Sequence, residues 1–429
     1  MRRLTIAVFF FVLFVPAAGL SLTLEEGLQI VETKGRDVKI ARSDEEVARG
    51  AVSLARSPWL PSVDLYGNET WLQYQPQFKF GPNVVPTSQD RYLTYGVRAS
   101  QLLYDFGKTS SSIDAAAFGL QAREIETLRA KNRSALEFII AYLDLLESEK
   151  LLQVAAEEVK QYEAHKQDAL VRYDAGVVTK NDVLQADVTL ADSRQRYLTF
   201  ENLRSVRASH INSLLLRPLN EAVQPEEVRK SPSAGISLEA AWTVAEAESP
   251  EIRVIDAGIR SKEESIKATQ AEYLPSFYLS GGYEYQENQY VVNQSNWSLI
   301  AGVNINLSSG GASSAKIHIG KSELASLRIT RDKIVDAVRL DVQEAYLNLQ
   351  TSAQKIEVTK TAVAQAEENL RLQRLRYQEG VGTAIELLDA VTLLTAARTN
   401  TWSAQYGFER AEAGLLYSMG KDLLSVYGK

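Results

Sequence analysis

Two periodicities alternate along the 429 residues of this chain. Leu136, Ile139, Leu143 and Leu146 step by three or four, as do Ile334, Val338, Val342, Ala345 and Leu349. That spacing puts the apolar side chains on one face of a helix. The stripes are narrow and flanked by Glu, Lys, Gln and Arg, which suits coiled-coil packing, where each helix buries a thin seam. Residues 87–217 and 276–429 contain no proline. Long helices are therefore permitted there, since proline removes a helix donor and clashes with the preceding turn. Gly107 to Tyr173 and Gly311 to Tyr377 read as continuous helix over roughly 67 residues each, on the order of 100 Å at ~1.5 Å per residue.

Other segments have period two. Trp297, Leu299, Ala301, Val303, Ile305 and Leu307 alternate with Ser298, Ile300, Gly302, Asn304, Asn306 and Ser308. Phe277, Leu279, Gly281, Tyr283 and Tyr285 alternate with Tyr278, Ser280, Gly282, Glu284 and Gln286. These patterns predict strands near 276–286 and 297–308, each with an apolar face and a small polar face. A rougher pair is predicted near 62–74 and 91–104, joined by a connection that holds Pro76, Pro82 and Pro86 and reads as an extracellular loop. Strands of this length with aromatic residues at their ends fit a transmembrane barrel. A soluble β-sandwich is the competing reading. Four strands cannot close a barrel, and lipid does not tolerate open edges, so other copies of the chain would have to complete the sheet. Three copies of four strands is the simplest closure that leaves a passage.

The chain is also duplicated. Residues 172–186, RYDAGVVTKNDVLQA, and 376–390, RYQEGVGTAIELLDA, agree at seven of fifteen positions without a gap. Leu24-Glu25 matches Leu238-Glu239, and Trp59-Leu60-Pro61-Ser62 matches Tyr273-Leu274-Pro275-Ser276. Each half reads as helix to about residue 57 or 271, a Pro-marked break, two strands and two long helices. A first repeat is expected over 20–216, with long helices 107–173 and 179–216. A linker is expected over 217–237, and a second repeat over 238–429, with helices 311–377 and 383–418. The matched stretches are then the turns of helical hairpins. Gly176 and Gly380 would end the ascending helices as C-cap glycines. Thr383 would begin the descending one, with Glu386 completing a T-x-x-E capping box that Thr179 and Asp182 repeat in weaker form.

Composition removes several function classes. Arg2 and Arg3 precede an apolar run from Leu4 to Val15, then Pro16, Ala17, Ala18 and Gly19. That order reads as a secretory signal over residues 1–19, too short to stay in a bilayer as a helix. Without Arg2 and Arg3 the balance is 45 basic to 54 acidic residues, a net of −9, so no nucleic-acid partner is expected. The chain has no cysteine, which excludes disulfides and a lipidated N-terminal cysteine. No later apolar run approaches the ~20 residues of a membrane helix, so entry into a membrane would be by strands. His165, His210 and His318 are isolated on helical stretches. Gly380-x-Gly382 has no strand before it and no Lys-Ser/Thr after it, as a phosphate loop would. No catalytic residue, metal site or cofactor is expected.

With these elements in place, the sequence resembles the TolC-like outer-membrane efflux proteins. The resemblance rests on the duplicated helix–strand–strand–helix–helix plan, on Leu60-Pro61-Ser62 and Leu274-Pro275-Ser276 ahead of the strands, and on Y-x-x-G-x-x-T at both hairpin turns. Glu386-Leu387-Leu388-Asp389-Ala390 is similar to the acidic segment lining the closed inner end of that family's pore. Glu386 stands where the family has an aspartate. The second strand-to-helix junction reads Leu307-Ser308-Ser309-Gly310-Gly311 where the first has Leu103-Tyr104-Asp105-Phe106-Gly107.

The resemblance implies a mixed helix-and-strand membrane fold, a homotrimer with a twelve-stranded β-barrel continued by a long α-helical coiled-coil tunnel in the periplasm. It also implies an outer-membrane location and an efflux function with two partners, a periplasmic adaptor and an inner-membrane transporter. The adaptor would dock on the turns at Gly176, Val177, Thr179, Gly380, Val381 and Thr383. Glu386 and Asp389 would line the pore constriction. For Glu386 the plainer reading is the helix cap, because carboxylates in a first helical turn are favoured by the dipole whatever the function. Asp389 is not needed by the cap, so the pore reading leads there. Two alternatives stand beside efflux: the outer-membrane channel of a type I protein secretion system, and a structural coiled-coil envelope protein without transport.

Overall fold

The computed structural model describes residues 21–228 and 235–428. The signal expected over residues 1–19 and part of the linker lie outside the described residues. The first half runs β1 (Ser21–Leu22), α1 (Leu24–Lys34), α2 (Arg36–Arg56), β2 (Ser62–Trp71), β3 (Gln77–Phe80), β4 (Asn83–Pro86), β5 (Arg91–Tyr104), α3 (Lys108–Asp174) and α4 (Lys180–Leu214). After β6 (Gln224–Pro225) come α5 (Leu238–Glu248), α6 (Pro250–Gln270), β7 (Ser276–Gln286), β8 (Ser295–Asn304), α7 (Ala312–Gln378), α8 (Ala384–Ser418) and α9 (Leu423–Tyr427). The halves match in length: α3 and α7 each have 67 residues, α4 and α8 each 35.

Three features differ from the sequence expectation. The helix expected at the start of each half is two helices. Gly35 (φ −51°, ψ 141°) leaves the helix while its N–H still bonds Val31 O at 3.0 Å. Pro250 opens α6 at its first turn behind Ser249, whose Oγ accepts from the Ile252 N–H at 3.3 Å, a position where the missing proline N–H costs nothing. The proline-rich connection is not plain loop, because β3 and β4 pair antiparallel within it. Finally, β8 ends at Asn304, short of the alternation that runs on to Ser308.

The chain forms two compact units, described separately. One comprises Ile40–Arg129 and Ser249–Ala337. Its sheet has the order β2-β5-β7-β8, every neighbouring pair antiparallel. The edge strands β2 and β8 have no further partner among the described residues. One face is apolar and exposed, with Leu65, Trp297 and Leu299 accessible by 80%, 78% and 76%.

The two strand-to-helix junctions share one backbone despite their different residues. Phe106 and Gly107 have φ of 53° and 93°, and Gly310 and Gly311 have 62° and 87°. Asp105 caps α3 by accepting from the Thr109 N–H at 2.8 Å, and Ser309 Oγ accepts from the Ser313 N–H at 3.1 Å. The departure noted in the sequence is therefore a conservative change of cap.

The other unit comprises residues up to Lys39, Ala130–Glu248 and Val338–Lys429. Its larger core gathers Leu28 and Val31 of α1, Phe138, Ile139 and Leu145 of α3, and Ile211 of α4. Gly27 admits the Phe138 ring, since a Cβ there would lie 1.9 Å from Cζ. The buried Tyr142 hydroxyl lies 2.8 Å from Leu22 O and 2.7 Å from Glu226 O, tying down the parallel β1–β6 pair. A smaller core joins Tyr162 of α3, Leu190 of α4, Leu370 and Tyr377 of α7, and Leu387 and Val391 of α8. Among the described residues no helix is long and apolar enough to cross a membrane.

Candidate functional site

Both hairpin turns are built the same way. Gly176 (φ 73°) and Gly380 (φ 74°) occupy the left-handed region, which glycine enters without the strain a Cβ brings. Val177 N–H donates to Arg172 O at 2.8 Å, and Gly176 N–H to Tyr173 O at 2.9 Å. Val381 N–H and Gly380 N–H repeat the pair to Arg376 O and Tyr377 O at 3.0 and 3.2 Å. These crossed bonds satisfy the last carbonyls of α3 and α7. Val177 and Val381 stand out from the turns, 65% and 71% exposed.

The descending helices open on caps of different quality. Thr383 Oγ1 accepts from the Glu386 N–H at 3.3 Å, and Glu386 Oε2 accepts from the Thr383 N–H at 2.9 Å, a reciprocal box. At the first turn Asp182 Oδ2 accepts from both the N–H and the hydroxyl of Thr179 at 2.8 Å.

The two carboxylates singled out in the sequence differ in surroundings. Glu386 is half-buried. The Thr383 amide holds its carboxyl below the usual carboxylate range, and Arg376, with Nη1 at 3.6 Å, adds to that. Asp389 is exposed. No hydrogen bond or ion pair ties its carboxylate to the rest of the described chain.

The structure adds residues that sequence reasoning passed over. Tyr173 and Tyr377 are equivalent in the repeat, yet Tyr173 is 42% exposed and Tyr377 only 5%. The Tyr377 ring lies beneath Arg172, whose guanidinium carbon is 4.8 Å from the ring centre. Arg172 also pairs with Asp168 at 3.0 Å and donates to Gln378 O at 3.3 Å. The buried His165 ring is also close, 5.4 Å from that of Tyr377. Arg172 of the first repeat thus closes over the second, whereas its equivalent Arg376 turns to Glu386. The one sequence signal was the Arg-Tyr pair common to both turns. Further along, Arg398 of α8 joins Glu157 of α3 and Glu367 of α7 at 2.5 and 2.9 Å, so one cation staples three helices.

A family model described as "Outer membrane efflux protein" matches residues 28–215 and 243–421, one segment in each half of the duplication. The chain belongs to the outer membrane efflux protein family.

Among its relatives, outer membrane efflux protein BepC of Brucella suis is 24% identical over 421 residues, covering 94% of this chain and 86% of its own. Alkaline protease secretion protein AprF of Pseudomonas aeruginosa is 22% identical, covering 98% of this chain and 89% of its own. The crystal structure of outer membrane protein VceC from Vibrio cholerae superposes with a TM-score of 0.79 at 17% identity, over 93% of this chain and 96% of that one. The fold of this outer membrane efflux protein is that of the TolC-like channels, with the strands of a β-barrel and the long helices of a tunnel. Its place is the outer membrane, with the tunnel on the periplasmic side.

Proposed function

We propose that this outer membrane efflux protein is the channel of a tripartite efflux system. It would carry substrates handed over by an inner-membrane transporter and a periplasmic adaptor across the outer membrane. The observation that carries this reading is the open sheet, whose edge strands β2 and β8 lack partners among the described residues and whose apolar face is exposed. In a bilayer, lipid covers such a face and strands of other copies cover such edges, because unpaired backbone groups in hydrocarbon cost several kcal/mol each, by rough estimate. A homotrimer supplies twelve strands, enough for a closed barrel around a water-filled passage.

In that trimer the turns at Gly176, Val177, Thr179, Gly380, Val381 and Thr383 offer the adaptor a rigid surface with two exposed valines. Asp389, unpaired among the described residues, supplies three carboxylates around the axis, a ring that attracts cations and repels anions. Glu386 contributes to the same ring only so far as its cap leaves it free. Chemistry on the cargo is no part of this role.

The similarity to AprF over 98% of this chain favours a second reading, the outer-membrane channel of a type I protein secretion system. A strain lacking this protein separates the two. Efflux predicts that the strain accumulates small dyes and regains low accumulation on complementation, with its secreted proteins unchanged. Secretion predicts the reverse pattern.

A further inference from the structure

The sheet carries a charge pattern that neither the pore carboxylates nor the hairpin turns explain. Its register aligns Asp64, Arg98, Gly282 and Ser298 in one row across all four strands, and Tyr66, Gly96, Glu284 and Asn296 in the next, on the same face. The rows on either side, Ser62–Ser100–Ser280 and Asn68–Thr94–Gln286, are neutral. Among the described strand residues of this face, Asp64, Arg98 and Glu284 are the only charged ones. The opposite face is apolar, and its two charges, Glu69 and Arg91, pair with each other at 2.6 Å.

The band is also held in shape. Tyr66 of β2 reaches over β5 and donates its hydroxyl to Glu284 Oε2 of β7 at 2.7 Å. Gly96 makes that crossing possible, because a Cβ there would lie 2.8 Å from the Tyr66 hydroxyl. The Arg98 guanidinium carbon sits 5.3 Å from the centre of the same ring. A merely solvated face would scatter its charges along the strands and leave them mobile. Here they occupy two adjacent rows around one rigid phenol.

We propose that Asp64, Arg98 and Glu284 form a charged band around the barrel lumen that favours the passage of cationic over anionic solutes. The inference rests on the trimeric barrel proposed above, in which the apolar face meets lipid and this face meets the lumen. Two acids and one base leave each chain at −1 and the trimer at −3. In a water-filled passage the reach of such a band is set by screening, ~30 Å at 0.01 M salt but only ~3 Å at 1 M. Its selectivity is therefore strong in dilute salt and absent in concentrated salt.

The test is the reversal potential of purified trimers in planar bilayers under a KCl gradient, all carrying Asp389→Asn so that the other ring is silent. Glu284→Lys turns the band of the trimer from −3 to +3 and lowers the K⁺/Cl⁻ permeability ratio about twofold or more near 0.01 M, with no difference near 1 M. Asp64→Asn lowers the ratio less, and Arg98→Gln raises it. These last two leave the Tyr66–Glu284 bond in place, so they decide the matter if Glu284→Lys fails to assemble. Unchanged ratios in assembled variants overturn the band and leave the channel standing. Trimers that never conduct overturn the channel reading and the band with it.

Discussion

The rings of His165 and Tyr377 meet with centres 5.4 Å apart at 58°, and neither imidazole nitrogen nor the Tyr377 hydroxyl has a hydrogen-bond partner among the described residues. His165 lies on α3 and Tyr377 on α7, so the pair spans the two repeats. Burial pushes His165 below the ordinary imidazole range. Asp168 of the same helix and Asp182 of α4 oppose that shift, and Arg172 adds to it.

The unfolded chain therefore takes this proton first, near the ordinary value of about 6.5. A lowered folded value means that the stabilisation is whole above about pH 6.5 and is lost as pH falls toward the folded pKa. Amide hydrogen exchange around residues 160–170 and 372–378 should lose protection between about pH 7.5 and pH 5.5. His165→Phe should flatten that dependence. Equal protection across the range in the unmodified protein would show that the pair does not titrate.

Gly380→Ala isolates a backbone effect, because a Cβ at φ 74° meets no atom within 4 Å. Denaturant unfolding should show a loss of roughly 1 kcal/mol from the left-handed conformation alone. Outer-membrane assembly should persist, while efflux falls if the turn is a docking surface. A variant of wild-type stability would mean that the turn relaxes to another conformation.

Glu386→Gln should leave thermal stability near neutral pH almost unchanged, since glutamine also completes the box with Thr383. Glu386→Ala should lower it, the Thr383 N–H losing its acceptor. The carboxyl is held low in the folded chain, so its contribution is present above the unfolded value of about 4.3 and is lost as pH falls through the folded one. Equal melting temperatures for the Gln and Ala variants would remove the cap from the account of this residue.

Much of this architecture is legible in the sequence because it is local. The absence of proline over 87–217 permits α3 and α4, the alternation of residues 276–286 gives β7, and the Gly176 and Gly380 turns follow from repeat and cap chemistry. What escaped depends on long-range partners or on competing local signals. β1 and β6 are two residues each and exist only by pairing across 203 positions of chain, Ser21 with Gln224 and Leu22 with Pro225. Pro82 and Pro86 masked the β3–β4 hairpin, which accommodates one in its turn and the other at its end. Gly35 looks like any helical glycine until its ψ of 141° is seen. At the turns, equal residues have unequal fates: nothing local tells Tyr377 from Tyr173, because the difference is made by His165 and Arg172 on a helix some 200 residues away.

Single-channel recording of the protein extracted from outer membranes in detergent tests most directly whether copies of this chain close around a pore guarded by Asp389. Discrete, cation-preferring openings blocked by divalent cations are predicted. Asp389→Asn should weaken both the block and the preference without changing assembly, since three closely spaced charges are lost where water screens them poorly. Recovery of a soluble periplasmic monomer that never conducts would contradict the channel, and unaltered block and selectivity in Asp389→Asn would contradict the ring.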